Sequence, residues 1–320
     1  MNIASPAEPN LTPDPQMETI LKRMRAAPVA DYRAMSIEKA RALFEELAAP
    51  WCEPKLPVAS VRDLSVPGTA GALRARLYHP QPGQPRPVIV FAHGGGWTFG
   101  SVDTHDGTMR HLAHHSGCAV LGMDYRLAPE NPFPAGLSDF LASIEFVAGG
   151  GLGAEVNAAS MALAGDSAGA NIALAALLTL RPQGPRIRTA ALFYGCYAPI
   201  FDTGSNRNCG DGSFGLSTEI MRWYWRNYLG RESETTTSYA APLRADLAGL
   251  PPLYLNCAGL DPLRDDTLLL CNRLADAGVP FRLDTIPGVV HGFLRMTKEL
   301  PAANEAIRAA GQFLSGALNV

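Results

Sequence analysis

Short apolar runs alternate with longer stretches of helical period, and this alternation constrains the chain more than any other feature. The runs are RPVIVFAH (86–93), GCAVLGMDY (117–125), SMALAGD (160–166), TAALFYG (189–195), PPLYLNCAG (251–259) and VPFRLDTIP (279–287). Each is short, rich in β-branched or aromatic residues and bounded by glycine or proline, the pattern of a buried strand. Helical patterns lie between most of them: THDGTMRHLAHHS, PAGLSDFLASIEFVA, AGANIALAALLTL and RDDTLLLCNRLADAG, with LPAANEAIRAAGQFLSGAL after the last. Strand and helix repeated in this way predict a parallel sheet covered on both faces. Upstream, SVRDLSVPG and ALRARLYHP flank a tight Thr69–Ala70–Gly71 turn and predict an antiparallel hairpin at the sheet edge. The expected fold class is therefore α/β, with a mostly parallel central sheet of about eight strands flanked by helices.

Two segments break the rhythm. Residues 1–50 hold the helical patterns QMETILKRMRAA and SIEKARALFEELAA, and residues 198–238 hold the aromatic pattern STEIMRWYWRNYLG. Neither has a strand partner, so both are read as one helical cap over the end of the sheet, leaving 51–197 and 239–320 as the α/β domain.

Composition narrows the partners. The formal net charge of −3 over 320 residues supplies no basic field for nucleic acid or an anionic membrane, so a small neutral or mildly polar molecule is the expected partner. The start MNIASPAEPNLTPDP lacks the basic and apolar regions of a secretory signal, and the least polar stretch, 170–180, is too short to span a bilayer. Six cysteines, at 52, 118, 196, 209, 257 and 271, are scattered with no C-x-x-C pair, as expected for reduced thiols of a cytoplasmic protein without a disulfide framework.

Chemistry concentrates in ALAGDSAGA. Gly165-Asp166-Ser167-Ala168-Gly169 is G-x-S-x-G between an apolar strand and a long helix, the context of a nucleophile elbow. A serine N-cap in a glycine-rich turn is the other reading of the pentapeptide. The partners weigh against it, because a serine hydroxyl needs a base to take its proton and a third group to orient that base. In the chain order Ser, Asp, His, only His291 follows Ser167. For the acid, AGLDPLRDD offers Asp261, Asp265 and Asp266. The last two are explained as first-turn carboxylates complementing a helix dipole, whereas Asp261 precedes Pro262 in the strand-exit turn.

The run FAHGGGWTFGS (91–101) spends three glycines where bare backbone must be needed. The N–H groups of Gly95, Gly96 and Ala168 can together form a pocket for an oxyanion. A phosphate-binding loop is the competing reading, but G-x-G-x-x-G and the Walker pattern are absent. His93 is expected to hold the glycine loop by a side-chain hydrogen bond. His111, His114 and His115 in HLAHH are read as a solvated helix face rather than metal ligands, since nothing nearby completes a site.

With these residues in place, the chain resembles the hormone-sensitive lipase family of α/β-hydrolases, in its bacterial esterase branch. The likeness runs from about residue 55 to 317 and rests on HGGGW (93–97), DYRLAPE (124–130) followed by FPA (133–135), GDSAG (165–169), DPLRDD (261–266) and HGF (291–293), all in order. The resemblance implies a catalytic triad of Ser167, Asp261 and His291, and an oxyanion hole of Gly95, Gly96 and Ala168. It also implies a helical cap, hydrolysis of short- to medium-chain acyl esters without metal or organic cofactor, and a homodimer. Asn131 and Ala170 stand where many relatives carry histidine and glycine, both outside the implied catalytic set. Trp97, Phe214 and Trp223 lie on the glycine loop or in the cap and are candidate pocket walls, with packing of the cap as their other role. Amide or lactam hydrolysis by the same triad remains an alternative, as does a non-catalytic small-ligand receptor, the plant gibberellin receptor being a member of the family that lost the histidine.

Overall fold

A two-residue turn, Thr69–Ala70, folds strand β1 (Ser60–Gly68) back on β2 (Gly71–His79) in antiparallel register. The computed structural model describes residues 11–26, 31–181, 183–230 and 237–320, so residues 1–10, 27–30 and 231–236 of the expected cap segments lie outside the described residues. Six further strands complete the sheet: β3 (Arg86–Ala92), β4 (Ala119–Met123), β5 (Val156–Asp166), β6 (Ile187–Phe193), β7 (Leu253–Leu260) and β8 (Phe281–Val290). Their order is β1-β2-β4-β3-β5-β6-β7-β8, and every pairing from β4 to β8 is parallel. All six expected central strands and the expected hairpin are present. The last strand runs on to Val290, three residues past its expected end, so that His291 follows it directly.

The chain steps outward from β3 to β4 and then returns past β3 to β5. In open parallel sheets such a reversal opens a crevice at the carboxyl ends of the two strands, because their following connections leave to opposite faces. Here Ala92 of β3 sits in register with Gly165 of β5, so the glycine loop and the GDSAG turn emerge side by side.

Alternation along the strands builds two cores. Val88 and Val90 join Leu163, Leu192 and Leu255 on one face, beneath α4 (Ala135–Ala148), α5 (Ala168–Leu180) and α8 (Arg264–Asp276). Ile89 and Phe91 face the other way, beneath α3 (Asp106–Ser116) and α9 (Pro301–Leu318). Of the segments outside this rhythm, α1 (Pro15–Ala26) buries Met17, Ile20 and Leu21 in the second core. Helix α2 (Ile37–Ala48) is tied to the glycine loop by Arg41, whose Nε donates to the Thr98 carbonyl at 2.9 Å. Helices α6 (Gly204–Cys209) and α7 (Thr218–Leu229) follow β6. All six cysteines are buried and free, and among the described residues no helix is long and apolar enough to cross a membrane.

Two expectations about polar residues need correction. The α3 histidines do not form one solvated face: His114 is exposed, but His111 and His115 are half-buried, with His115 set against Gly311 of α9. Burial lowers the His111 imidazole to about 4. Asp266 does stand in the first turn of α8, yet it is fully buried, accepts from the Tyr197 N–H at 3.1 Å and, among the described residues, leaves Oδ2 without a hydrogen-bond partner. It fastens α8 to the exit of β6, and burial pushes its carboxyl well above the ordinary carboxylate range.

The raised Asp266 carboxyl sets a pH dependence. The folded chain holds this proton where the unfolded chain has lost it, so the group's contribution to stability is complete below about pH 4 and declines as pH rises toward its folded value. Asp266→Asn carries no such penalty. Its stability relative to wild type should therefore rise with pH, by up to about 1.4 kcal/mol per pH unit inside that window. Urea midpoints of both proteins at pH 5 and pH 7 measure the effect, and an unchanged difference between the two pH values would refute it.

Candidate active site

Ser167 occupies the single residue between β5 and α5, at φ 54° and ψ −120°. A non-glycine residue in that region costs on the order of 1–3 kcal/mol and persists only where its surroundings enforce it. Its N–H donates to the Phe193 carbonyl at 2.9 Å, and its carbonyl accepts the first bonds of α5 from Ala170 and Asn171. The backbone is thus held from both sides while the side chain faces a cavity, with the residue 8% exposed.

His291 and Asp261 leave the ends of β8 and β7. The His291 ring bridges the other two side chains: Nε2 lies 2.9 Å from Ser167 Oγ and Nδ1 lies 2.7 Å from Asp261 Oδ2. Asp261 is fully buried, and its other oxygen accepts the Leu263 N–H at 2.8 Å, which fixes the carboxylate. With Nδ1–H committed to the carboxylate, Nε2 presents its lone pair to the serine hydroxyl. An imidazole so held can accept the hydroxyl proton and keep its own orientation as it becomes cationic.

The glycine loop lies alongside. Gly95 has φ 116° and Gly96 φ 60°, both in the left-handed half of backbone space. A Cβ on Gly95 would stand 2.2 Å from the Phe99 carbonyl oxygen, and one on Gly96 would stand 2.3 Å from the Tyr224 ring. The Gly95 carbonyl accepts from Phe99 N–H at 2.8 Å, closing the loop, while its own N–H and that of Gly96 meet no acceptor among the described residues. Ala168 opens α5, where backbone N–H groups are unpaired by helix geometry. The result is a set of free N–H donors on the strand exits next to Ser167.

Beneath these groups runs a buried network. Asp166 accepts from the Gly94 N–H at 2.8 Å, faces His105 Nε2 at 3.3 Å and accepts from the Tyr194 hydroxyl at 3.3 Å. Burial opposes its ionisation, but His105, Arg295 and the Gly94 N–H outweigh that, holding the carboxyl below its ordinary range. The Tyr194 ring meets the His291 ring edge to face at 4.9 Å, so one side chain touches both the imidazole and the carboxylate that anchors the glycine loop. His93 Nδ1 lies 2.8 Å from the Gly94 carbonyl oxygen, and burial lowers its imidazole to about 3. A neutral His93 therefore donates from Nδ1 and braces the loop, as expected.

Ser167, His291, Gly95 and Gly96 line one cavity of about 600 Å³. Phe214 lines it too. Trp97 and Trp223 do not. Trp97 is 2% exposed, stacked on Tyr228 at 4.0 Å and tilted against Trp225 at 4.6 Å, and Trp223 packs on Phe99 and Tyr224. Both carry the packing role, because the glycine loop turns Trp97 away from the crevice and under α7. Sequence reasoning passed over His105, Tyr194 and Arg295. They come from a loop, a strand end and a turn with no shared motif, and only the sheet order brings them together.

Residues 89–295 match the model of the α/β-hydrolase fold family, more than half of the chain, and the chain belongs to that family. Among similar solved structures, a hyperthermophilic esterase from the archaeon Pyrobaculum calidifontis is 32% identical, with a TM-score of 0.91 over 95% of this chain and 98% of that one. An ester hydrolase from the metagenome of Lake Arreo is 29% identical, with a TM-score of 0.90 over 97% of this chain and 100% of that one. A thermostable esterase from Pseudomonas putida is 27% identical, with a TM-score of 0.89 over 97% of this chain and 98% of that one.

Proposed function

We propose that this chain is a serine carboxylesterase acting on short- to medium-chain acyl esters, with Ser167 as nucleophile, His291 as base and acid, and Asp261 as the orienting carboxylate. The observation that carries the reading is the unbroken chain of contacts from Asp261 through His291 to Ser167, at 2.7 and 2.9 Å, on the wall of a cavity that also holds free backbone donors. The similar solved structures are esterases and an ester hydrolase, which supports the same class of reaction.

As Oγ of Ser167 attacks the ester carbonyl, His291 Nε2 takes its proton. The carbonyl oxygen gains charge and is met by the N–H groups of Gly95, Gly96 and Ala168, preorganised so that no rearrangement is needed as the charge appears. Asp261 stabilises the imidazolium, which then protonates the departing alcohol. Water, deprotonated by His291, releases the acid from the acyl-serine and restores the site.

The described parts of segments 1–50 and 198–238 act as the cap over this site, and the lining by Met24, Phe44, Phe214 and Tyr224 supports that reading. A cavity of about 600 Å³ suits a small ester rather than a long lipid tail. Free, buried cysteines support a reducing, cytoplasmic setting. The homodimer implied by the resemblance belongs to the same reading, and β8, an outer strand of the sheet, supports it as a candidate contact edge.

Initial rates on p-nitrophenyl esters from acetate to dodecanoate test the proposal. Turnover should peak among the short chains and fall steeply by dodecanoate. Absence of turnover on every ester would sink it.

A further inference from the structure

Arg295 brings to the cavity a positive charge that takes no direct part in the attack on an ester carbonyl. It lies four residues past His291, on the turn Phe293–Met296, and is half-buried. It lines the cavity together with Ser167, Tyr32, Phe44 and Tyr224. The guanidinium carbon stands 5.3 Å from the centroid of the Phe44 ring. Its Nη2 lies 3.4 Å from where a Cβ on Gly292 would project, beside the backbone that carries His291.

Several arginines that reach across the molecule are held by acceptors: Arg23 has Glu299 at 2.8 Å, Arg41 has Glu130 at 2.7 Å and Arg126 has Asp139 at 2.7 Å, while Arg273 donates to the Leu243 and Ala245 carbonyls at 2.6 and 2.9 Å. Among the described residues, Arg295 has no carboxylate within 4 Å, and its guanidinium makes no hydrogen bond. The acids of the cavity are already engaged. Asp31 holds Arg33 at 2.9 Å, Asp211 accepts from Ser213 N–H and Oγ at 2.9 and 2.7 Å, and Asp166 is bound by Gly94, His105 and Tyr194. The Arg295 charge reaches across the space between them. Burial raises the phenols of Tyr32 and Tyr224 on the wall, and in each case the arginine works against that rise.

Its charge acts on Asp166 at a distance, but a half-buried guanidinium on an aromatic face has lost part of its water, and among the described residues no counter-ion touches it. A carboxylate entering the cavity would meet a planar fork of donors and bind it with two charge-assisted bonds. Resting on the esterase reading, we propose that the site selects small esters that bear a free carboxylate, with Arg295 binding the carboxylate while the ester carbonyl lies at Ser167. A positively charged ester is disfavoured for the same reason.

Two matched pairs of substrates, followed by titration of released acid in a pH-stat, test this. Ethyl hydrogen glutarate against ethyl valerate puts the charge on the acyl side, and 4-acetoxybutanoate against butyl acetate puts it on the alcohol side. In at least one pair, kcat/KM for the anion should exceed that of the neutral ester by about 10-fold or more, as expected for a charge-assisted contact. The ratio should fall about 10-fold or more in Arg295→Met, which keeps an apolar stem on Phe44, and take an intermediate value in Arg295→Lys, which keeps charge but not the fork. Because the readout is a ratio within one protein, a general loss of turnover or folding cancels. Neutral esters turned over with both ratios at or below one, or ratios unmoved in both variants, would overturn this inference and leave the esterase reading standing. No turnover of any of the four esters would overturn both.

Discussion

Ser167→Ala should abolish ester turnover, with kcat lower by about 10⁴–10⁶-fold, while the protein remains folded. The size follows from what is lost. Without Oγ there is no covalent route, and only the backbone donors and the cavity remain to stabilise attack by water. The fold should survive because, among the described residues, the Ser167 side chain bonds only to His291, and alanine fills the same strained backbone position at similar cost. His291→Ala should lose nearly as much, since a serine with no base is almost as inert as no serine. The double variant should then be little worse than either single one, because groups that act as a unit are not additive. Steady-state kinetics with thermal melts of all three proteins provide the measurement. A double variant slower by the product of the single losses would mean that the two residues act independently, contrary to the 2.9 Å contact between them.

Much of this candidate site is legible in the sequence, for reasons tied to particular residues. Ser167, His291 and Asp261 each lie within a turn that directly follows an apolar strand, so periodicity and glycine placement mark where they emerge, and chain order limits the histidine to one. The strands were legible because buried parallel strands read as short apolar runs between glycine and proline. What the sequence hides is adjacency. His105 and Asp166 are 61 positions apart, and Asp166 and Tyr194 are 28 apart, yet they meet because β3, β5 and β6 are neighbours in the sheet. The sequence leaves the role of Trp97 open between pocket wall and packing for a related reason. Its place on the glycine loop is visible in the sequence, but its φ of 55°, which sends the ring under α7, is not. Asp266 looked like an ordinary first-turn acid because helix position can be read from sequence and burial against Tyr197 cannot.

Gly169→Ala should destabilise the protein by about 2–3 kcal/mol and slow it about 100-fold, although alanine is the better helix former. Two effects compete. Alanine gains up to about 1 kcal/mol over glycine inside a helix. Against this, a Cβ at position 169 would stand 2.0 Å from the Ala92 carbonyl oxygen, 2.6 Å from its carbon and 2.7 Å from the His93 carbonyl oxygen. All three are backbone atoms at the exit of β3, held by the sheet on both sides, so no rotamer change relieves the clash. Helix α5 must then move away from β3 by about an ångström, a shift that overpacked cores tolerate only at a cost of roughly 1–3 kcal/mol or more. The same movement draws Ser167 and the Ala168 N–H away from Gly95 and Gly96. That couples a packing defect to the chemistry, because misplacing reacting groups by about 1 Å costs on the order of 100-fold in rate. Gly316→Ala supplies the contrast. Gly316 is exposed near the end of α9 and a Cβ there meets nothing within 4 Å, so only the helix term acts and the variant should be stabilised by up to about 1 kcal/mol with unchanged kinetics. Urea midpoints and initial rates of both variants decide the matter. If Gly169→Ala proves as stable and as active as wild type, the close approach of α5 to β3 is not what holds the nucleophile against the glycine loop.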